Sequence, residues 1–288
     1  MKVAFMLRSV GAAAAVVLLP ATPFAQSTPV RPGSTPAPPV AIDSRAGDAV
    51  DFEMMTWPEV KRALAAGKTT ALFYTGGTEQ RGPQNVNGGH TLMAKATVRA
   101  IALKLGNAIA MPVLAFTPNN GTAALPGTIG LTDELLAGVL ERVSEQAIAI
   151  GFKNIVLMGD HGGGQPNVYR SVATKLAGKQ GAQGAHIYFC DDVYEKADRA
   201  VDAWLTSKGY PIGTHAGIAD TSEMLYLGGD AWVREDQLAT AVGRDASAGN
   251  GIAGDARRSS AAIGKVVFDT KVDYAVKQIQ GFVRAPSK

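Results

Sequence analysis

The segment Asn154-Ile-Val-Leu-Met158 is followed directly by Gly159-Asp-His-Gly-Gly-Gly164 and then by a helical pattern over 166–179. A short, fully apolar run is typical of a strand that is buried on both faces of a sheet. Strands of this kind alternate with helices in parallel α/β proteins. The stretch therefore predicts one strand–turn–helix unit of such a protein.

The same alternation continues on both sides of this unit. Strand patterns lie at 70–74, within 108–116 and at 185–190, and helical patterns at 57–66, 92–105, 133–150, 216–227 and 254–282. The clearest helix follows Thr132, a natural N-cap. Its predicted apolar stripe consists of Leu135, Leu136, Val139, Leu140, Val143 and Ala147. We predict a three-layer α/β/α sandwich with a mostly parallel central sheet.

Composition narrows the class of protein. Of the 288 residues, 46% are hydrophobic and 18% are charged, which is ordinary for a globular protein, and we predict one catalytic domain over 51–288. The net charge of +3 and the lack of a Lys/Arg run argue against nucleic acid as a partner. Cys190 is the only cysteine, so the chain has no internal disulfide and no Cys-based zinc cluster.

The N-terminal residues predict export. Lys2 and Arg8 flank an apolar stretch over 10–19, and Ala25 offers a cleavage point, so residues 1–25 are interpreted as a signal peptide. A membrane anchor is the alternative, but the apolar run is shorter than the roughly 20 residues of a spanning helix. Residues 26–50 are rich in Pro, Ser and Thr and predict a linker. We expect a periplasmic protein that is free of the membrane after cleavage.

A first polar segment follows the strand pattern that ends at Tyr74. It reads Gly76-Gly-Thr-Glu-Gln-Arg-Gly-Pro83 and continues to Asn87-Gly-Gly-His90. Ligands of parallel sheets bind at the carboxyl ends of the strands. Glu79 and His90 can therefore converge on one cation that accepts oxygen and nitrogen ligands. The alternative is that Glu79 caps a helix and His90 is a surface loop residue.

Two further polar segments carry histidines. His161 lies among glycines that suggest close backbone approach to a ligand, and is a candidate metal ligand or catalytic group. Asp160 is either a carboxylate that fixes the tautomer of a ligand histidine or a turn residue. In Thr214-His-Ala-Gly-Ile-Ala-Asp-Thr-Ser222, Asp220 can orient His215 for proton transfer or reach a metal. Alternatively, Asp220 serves the start of a helix.

In combination and order these segments resemble the creatininase (creatinine amidohydrolase) family. The matching stretches are Gly77-Thr-Glu-Gln-Arg-Gly-Pro-Gln84, Gly159-Asp-His-Gly-Gly-Gly164 and His215-Ala-Gly-Ile-Ala-Asp-Thr-Ser222. The resemblance implies a three-layer fold, a homo-oligomer and hydrolysis of cyclic or linear amides with one or two divalent metal ions. By position, Glu79 and His161 match metal ligands and His215 matches an acid/base histidine.

Two departures from the family pattern change the expected metal site. Arg81 stands where the family has a ligand histidine, and a guanidinium stays protonated and cannot coordinate a cation. His90 stands where the family has a metal-bridging Asp. We therefore predict one divalent ion, zinc or otherwise manganese or iron, with Arg81 filling the space of a second cation or binding a substrate carboxylate. The predicted ligands are Glu79, His90, His161 and Asp220, and the predicted catalytic residues are His215 and Asp160.

The sequence thus predicts a metal-dependent hydrolase that cleaves a C–N bond of a small amide. Two alternatives stay open at this point. One is a non-catalytic exported protein that holds an anionic small molecule through Arg81 and the glycine turn. The other is a lactone or ester hydrolase, which would use the same machinery on a different leaving atom.

Overall fold

The computed structural model describes residues 49–181 and 184–284. The predicted signal peptide and all but the last two residues of the predicted linker lie outside these ranges, so both stay predictions. Within them, no helix is long and apolar enough to cross a membrane.

A parallel sheet of four strands forms the centre of the protein, in the order β2-β1-β3-β4. The strands are β1 (Thr70–Thr75), β2 (Ala108–Ala110), β3 (Asn154–Gly159) and β4 (His186–Phe189). Every residue of β1 is buried, and so is every residue of β3 after Asn154. The apolar composition of these two segments follows from burial on both faces, and the predicted parallel sheet is confirmed.

Helices cover both faces of the sheet. They are α1 (Trp57–Ala65), α2 (Gly89–Leu105), α3 (Asp133–Ala149), α4 (Gln165–Gln180), α5 (Glu195–Ser207), α6 (Ile218–Gly228) and α7 (Ala261–Arg284). Successive strand side chains point to opposite faces. Leu72 and Val156 accordingly pack in one core with residues of α2 and α7, whereas Phe73 and Leu157 pack in another with residues of α3 and α4. The predicted three-layer fold is confirmed.

Helix α3 begins as predicted, but its buried stripe is narrower. The Thr132 hydroxyl accepts a hydrogen bond from the Leu135 amide at 3.3 Å, so Thr132 is the N-cap. Leu136 and Leu140 are buried, whereas Leu135 is 58% exposed and Val139 is 39% exposed. The prediction was wrong for Leu135 and Val139, because adjacent helix positions are rotated by about 100° and only one of each pair faces the sheet.

Three features near the carboxyl edge of the sheet differ from the sequence prediction. Helix α2 begins three residues earlier than expected, which places His90 in its first turn. Helix α5 was not predicted, since only Ala197, Val201 and Leu205 are buried along its charged length. The short antiparallel strands β5 (Val242–Arg244) and β6 (Ala253–Asp255) were also missed. These elements surround the candidate site.

Candidate metal centre

The predicted site segments meet at the carboxyl edge of the sheet. Glu79 follows β1, His161 follows β3, and His90 projects from the first turn of α2. The loop after β1 approaches α2 so closely that a Cβ at Gly76 would lie 2.6 Å from the Thr91 Cα. Only glycine fits there, which explains why the loop carries Gly76 directly after the strand.

Glu79 joins the two histidines into one cluster. Its Oε1 lies 2.8 Å from His90 Nε2, and its Oε2 lies 3.0 Å from His161 Nε2. One ligand atom from each residue lies within 4.8 Å of the others, and all three residues are buried. Burial alone raises the pKa of Glu79, but hydrogen bonds from His161 and His90 outweigh it and lower the pKa, so Glu79 is a carboxylate. Glu79 and His90 are both buried, which excludes the alternative that His90 is a surface loop residue.

Asp160 contacts the ring nitrogen of His90 that faces away from Glu79. Its Oδ1 lies 3.2 Å from His90 Nδ1, and its Oδ2 accepts a hydrogen bond from Lys271 Nζ at 3.0 Å. Burial raises the pKa of Asp160, but the Lys271 ammonium and His90 lower it by more, so the net pKa is lowered and the group is ionised. An ionised Asp160 accepts the Nδ1 proton. This is the geometry expected of a carboxylate that fixes the tautomer of a ligand histidine.

His215 lies beside the cluster, but it is not held by Asp220. Its Nε2 donates to the backbone carbonyl of Gln80 at 2.8 Å, and its Nδ1 lies 3.7 Å from Glu79 Oε1. Burial and the positive charge of Arg81 lower the pKa of His215. A neutral ring that donates through Nε2 presents a lone pair at Nδ1. His215 is therefore built to accept a proton at Nδ1.

Asp220 takes neither of the positions expected for it. Its Oδ2 accepts from the Ala216 amide at 2.7 Å and its Oδ1 pairs with Arg81 Nη2 at 2.8 Å. Both carboxylate oxygens are thus engaged by this chain's own donors. The expectations that Asp220 is a fourth metal ligand or orients His215 do not match this geometry, because Arg81 and the start of α6 bind the carboxylate instead.

Arg81 is an internal ion-pair partner. The residue has no exposed surface, and its Nη1 lies 3.2 Å from Glu79 Oε1. The guanidinium therefore bridges Glu79 and Asp220, as expected of a group that fills the space and charge of a second cation. The prediction that Arg81 binds a substrate carboxylate stays a prediction, and in this structure the guanidinium is buried and paired with Glu79 and Asp220.

A cavity of about 360 Å³ opens onto the cluster. Glu79, His90, His161 and His215 line one part, and Asp198 and Asp202 of α5 line another. Among the described residues that line it, Lys271 is the one basic side chain other than histidine. Its ammonium is already paired with two carboxylates. The cavity is therefore predominantly acidic and offers no unpaired cation to an anionic ligand.

Several residues around the site were not found from the sequence. Lys271, Asp198 and Asp202 lie on amphipathic helices, where charged residues usually face solvent. Glu223 left no signal either, because it follows the polar residues 220–222 of α6, yet it is fully buried. Burial raises the pKa of Asp198 to about 7, since no basic side chain reaches it closely enough to offset the loss of water.

The charge and donor set of the site fit a divalent cation. Four carboxylates share two basic side chains here, which leaves two negative charges to be balanced by His90, whose ring nitrogens both face carboxylates, and by a bound cation. The carboxylates are Glu79, Asp160, Asp220 and Glu223, and the bases are Arg81 and Lys271. Two imidazoles and one carboxylate suit zinc, manganese or iron.

Metal binding through His161 would require a local adjustment. The Gly163 amide donates to His161 Nδ1 at 2.8 Å, so the ring proton lies on Nε2, which faces Glu79 Oε2. For Nε2 to act as a ligand, the proton must move to Nδ1 and the Gly163 amide must turn away. A Cβ at position 163 would lie 2.6 Å from the His161 ring, so glycine also allows this close packing.

Comparison with known proteins places this site in a family. The sequence model of the creatininase family, described as creatinine amidohydrolase, matches residues 53–279. The chain belongs to the creatininase family. This family is hydrolytic, and its match covers the described sheet and all the residues of the site. Comparison with curated proteins gave no match.

Solved creatininase structures share the fold. A crystal structure of creatinine amidohydrolase is 20% identical with a TM-score of 0.69, over 82% of this chain and 98% of that one. A structure titled "Creatininase Mn" is 21% identical with a TM-score of 0.68, over 82% and 99%. A putative creatinine amidohydrolase from Bacteroides fragilis NCTC 9343 is 17% identical with a TM-score of 0.63, over 84% and 100%. A further creatininase mutant is titled as a Zn-Zn type.

Proposed function

We propose that this protein is a metal-dependent amidohydrolase that cleaves a C–N bond of a small cyclic or linear amide. The observation that carries the proposal is the convergence of Glu79, His90 and His161 beneath an open cavity. Zinc is the first candidate for the divalent ion, with manganese or iron as alternatives. Solved creatininases titled as Mn and Zn-Zn forms support this choice.

Each residue of the site has a distinct task in the proposed reaction. A divalent ion, when bound, supplies Lewis-acid polarisation of the amide carbonyl and activation of water. His215 accepts the water proton at Nδ1 and returns it to the leaving nitrogen, while the Gln80 carbonyl holds the ring through Nε2. Asp160 keeps a proton on His90 Nδ1, so that Nε2 is the nitrogen that can bind the ion once it gives up the proton it donates to Glu79 Oε1.

We propose one ion per chain because Arg81 already lies between Glu79 and Asp220. A permanently charged guanidinium in this place repels a second cation. In this proposal Arg81 limits the number of metal ions that bind and does not contact the substrate. This assigns the residue a role different from substrate-carboxylate binding.

The cavity favours neutral or cationic amides over anionic ones. Glu79, Asp160, Asp198, Asp202 and Asp220 line it, whereas Lys271 is paired. The alternative of an exported protein that binds an anionic small molecule relied on Arg81, which is buried. One solved creatininase is titled as complexed with creatine, which supports a small, nitrogen-rich substrate class.

Metal analysis combined with a substrate screen tests the proposal. The purified protein is expected to retain close to one equivalent of a divalent ion and to hydrolyse members of a panel of lactams, cyclic amides and formamides. His161→Ala is expected to lose the ion and the turnover together. A protein that binds no divalent cation even in excess would contradict the proposal. Lactones in the same panel test the ester-hydrolase alternative.

Export and assembly are further proposals. The residues that predict the signal peptide support a periplasmic location, and the family resemblance supports a homo-oligomer. Fractionation of expressing cells tests the first, with the protein expected in the periplasmic fraction. Sedimentation analysis tests the second.

A further inference from the structure

Lys271 is buried at the wall of the cavity although it belongs to the last helix of the chain. The residue is 5% exposed, and its Nζ lies 3.0 Å from Asp160 Oδ2 and 2.7 Å from Glu223 Oε2. Burial lowers the pKa of Lys271, but Asp160 and Glu223 raise it more, so the ammonium stays charged. A buried ammonium is costly unless it is paired, which indicates a defined role for this contact.

Asp160 connects Lys271 to the proposed ligand cluster. Asp160 uses Oδ2 for Lys271 and Oδ1 for His90 Nδ1. Fixing one oxygen fixes the rotation of the carboxylate, so the other oxygen stays directed at the imidazole. His90 then donates through Nδ1 to Asp160, and its Nε2 is directed at Glu79 Oε1, 2.8 Å away.

We propose that Lys271 is a positioning residue for the metal site, which holds Asp160 in the orientation that fixes a proton on His90 Nδ1 and directs Nε2 at the Glu79 cluster. The inference rests on the proposed function, since it concerns the same cluster. Among the described residues, Lys271 forms its hydrogen bonds with Asp160 and Glu223 and none with the three candidate ligands. It acts through Asp160.

A simple charge effect predicts the opposite result from positioning. A lysine close to a cation repels it, so removing the positive charge would strengthen metal binding. Loss of a group that orients a ligand weakens metal binding by about 10- to 100-fold. The sign of the change in affinity therefore separates the two roles.

The first experiment measures the zinc dissociation constant by competition with a chelating indicator. Lys271→Met is expected to raise it by about 10- to 100-fold. Lys277→Met, on the exposed face of the same helix, is the matched control and is expected to stay within about threefold. If the parent protein binds no zinc, that result contradicts both the proposed function and this inference. If the parent protein binds zinc and Lys271→Met binds it equally tightly, the assignment of Lys271 is overturned, while the proposed function still stands.

A double-mutant cycle tests whether Lys271 acts through Asp160. In the Asp160→Asn background, Lys271→Met is expected to change zinc affinity by less than about threefold, because the link is already broken. A further tenfold loss would show an independent effect and overturn the proposed route. Nitrogen NMR of the zinc-loaded protein provides a second readout. It is expected to find the His90 proton on Nδ1 in the parent and a perturbed imidazole signal in Lys271→Met.

Lys271→Gln covers the case in which Lys271→Met does not fold. Glutamine keeps an N–H donor for Asp160 and loses the charge, so its zinc affinity is expected to fall by less than that of the methionine variant but to remain below the parent value. An affinity equal to or tighter than that of the parent overturns the inference.

Discussion

At the scale of single residues, the centre depends on how a few buried charges share partners. Arg81 and Lys271 each bind two carboxylates, and two of these four carboxylates, Glu79 and Asp160, also face His90. Buried charges are tolerated only when they are paired. The proposed cation at Glu79 would complete this pairing, so the metal content of the protein is expected to depend on these ion pairs.

Arg81→His tests the residue-scale argument. An imidazole at this position, beside Glu79 and Asp220, replaces a repelling charge by a ligand atom. The variant is expected to bind about two equivalents of zinc, whereas Arg81→Lys, which keeps the charge, is expected to bind one. Elemental analysis of dialysed protein measures this. A parent protein that already binds two ions would contradict the assignment of Arg81.

At the scale of elements, the residues at the carboxyl edge of the sheet could be predicted because β1 and β3 have recognisable strand patterns in the sequence. The apolar runs of β1 and β3 end at polar, Gly-rich turns, and the carboxyl ends of parallel strands meet at one edge. Glu79 and His161 were therefore expected to meet. The partner of Asp160 could not be predicted in the same way, because Lys271 lies on an amphipathic helix, where charged residues usually face solvent, and only tertiary packing buries it.

Helix α5 carries a testable consequence of this packing. Because burial raises the pKa of Asp198 to about 7, the folded protein keeps a proton that the unfolded chain releases near pH 4. Stability is therefore lost as the pH rises from about 4 to about 7. Asp198→Asn is expected to raise the Tm by several degrees at pH 8 and by little at pH 4. Thermal unfolding at both pH values measures this.

The control for the Asp198 prediction is Asp236→Asn, which changes an exposed carboxylate. This variant is expected to leave the Tm nearly unchanged at both pH values, since surface substitutions have small effects. An equal gain for Asp198→Asn at pH 4 and pH 8 would mean that its effect comes from packing rather than from ionisation.

At the scale of the whole molecule, the proposed ion is coupled to folding through the sheet. The candidate ligands come from segments far apart in sequence, after β1, on α2 and after β3, and these positions converge only in the folded chain. An ion bound to the folded state alone stabilises it by mass action. At a free zinc concentration 100-fold above the dissociation constant, the gain is about 2.7 kcal/mol.

Zinc is therefore expected to raise the Tm of the metal-free protein by about 5–10 °C, given about 2–4 °C for each kcal/mol in a chain of this size. Differential scanning calorimetry with zinc and with a chelator measures the difference. His161→Ala removes one ligand from the segment after β3 and is expected to show almost no zinc-dependent shift. A shift of equal size in both proteins would place the ion elsewhere, because mass action at the Glu79 cluster requires all three side chains.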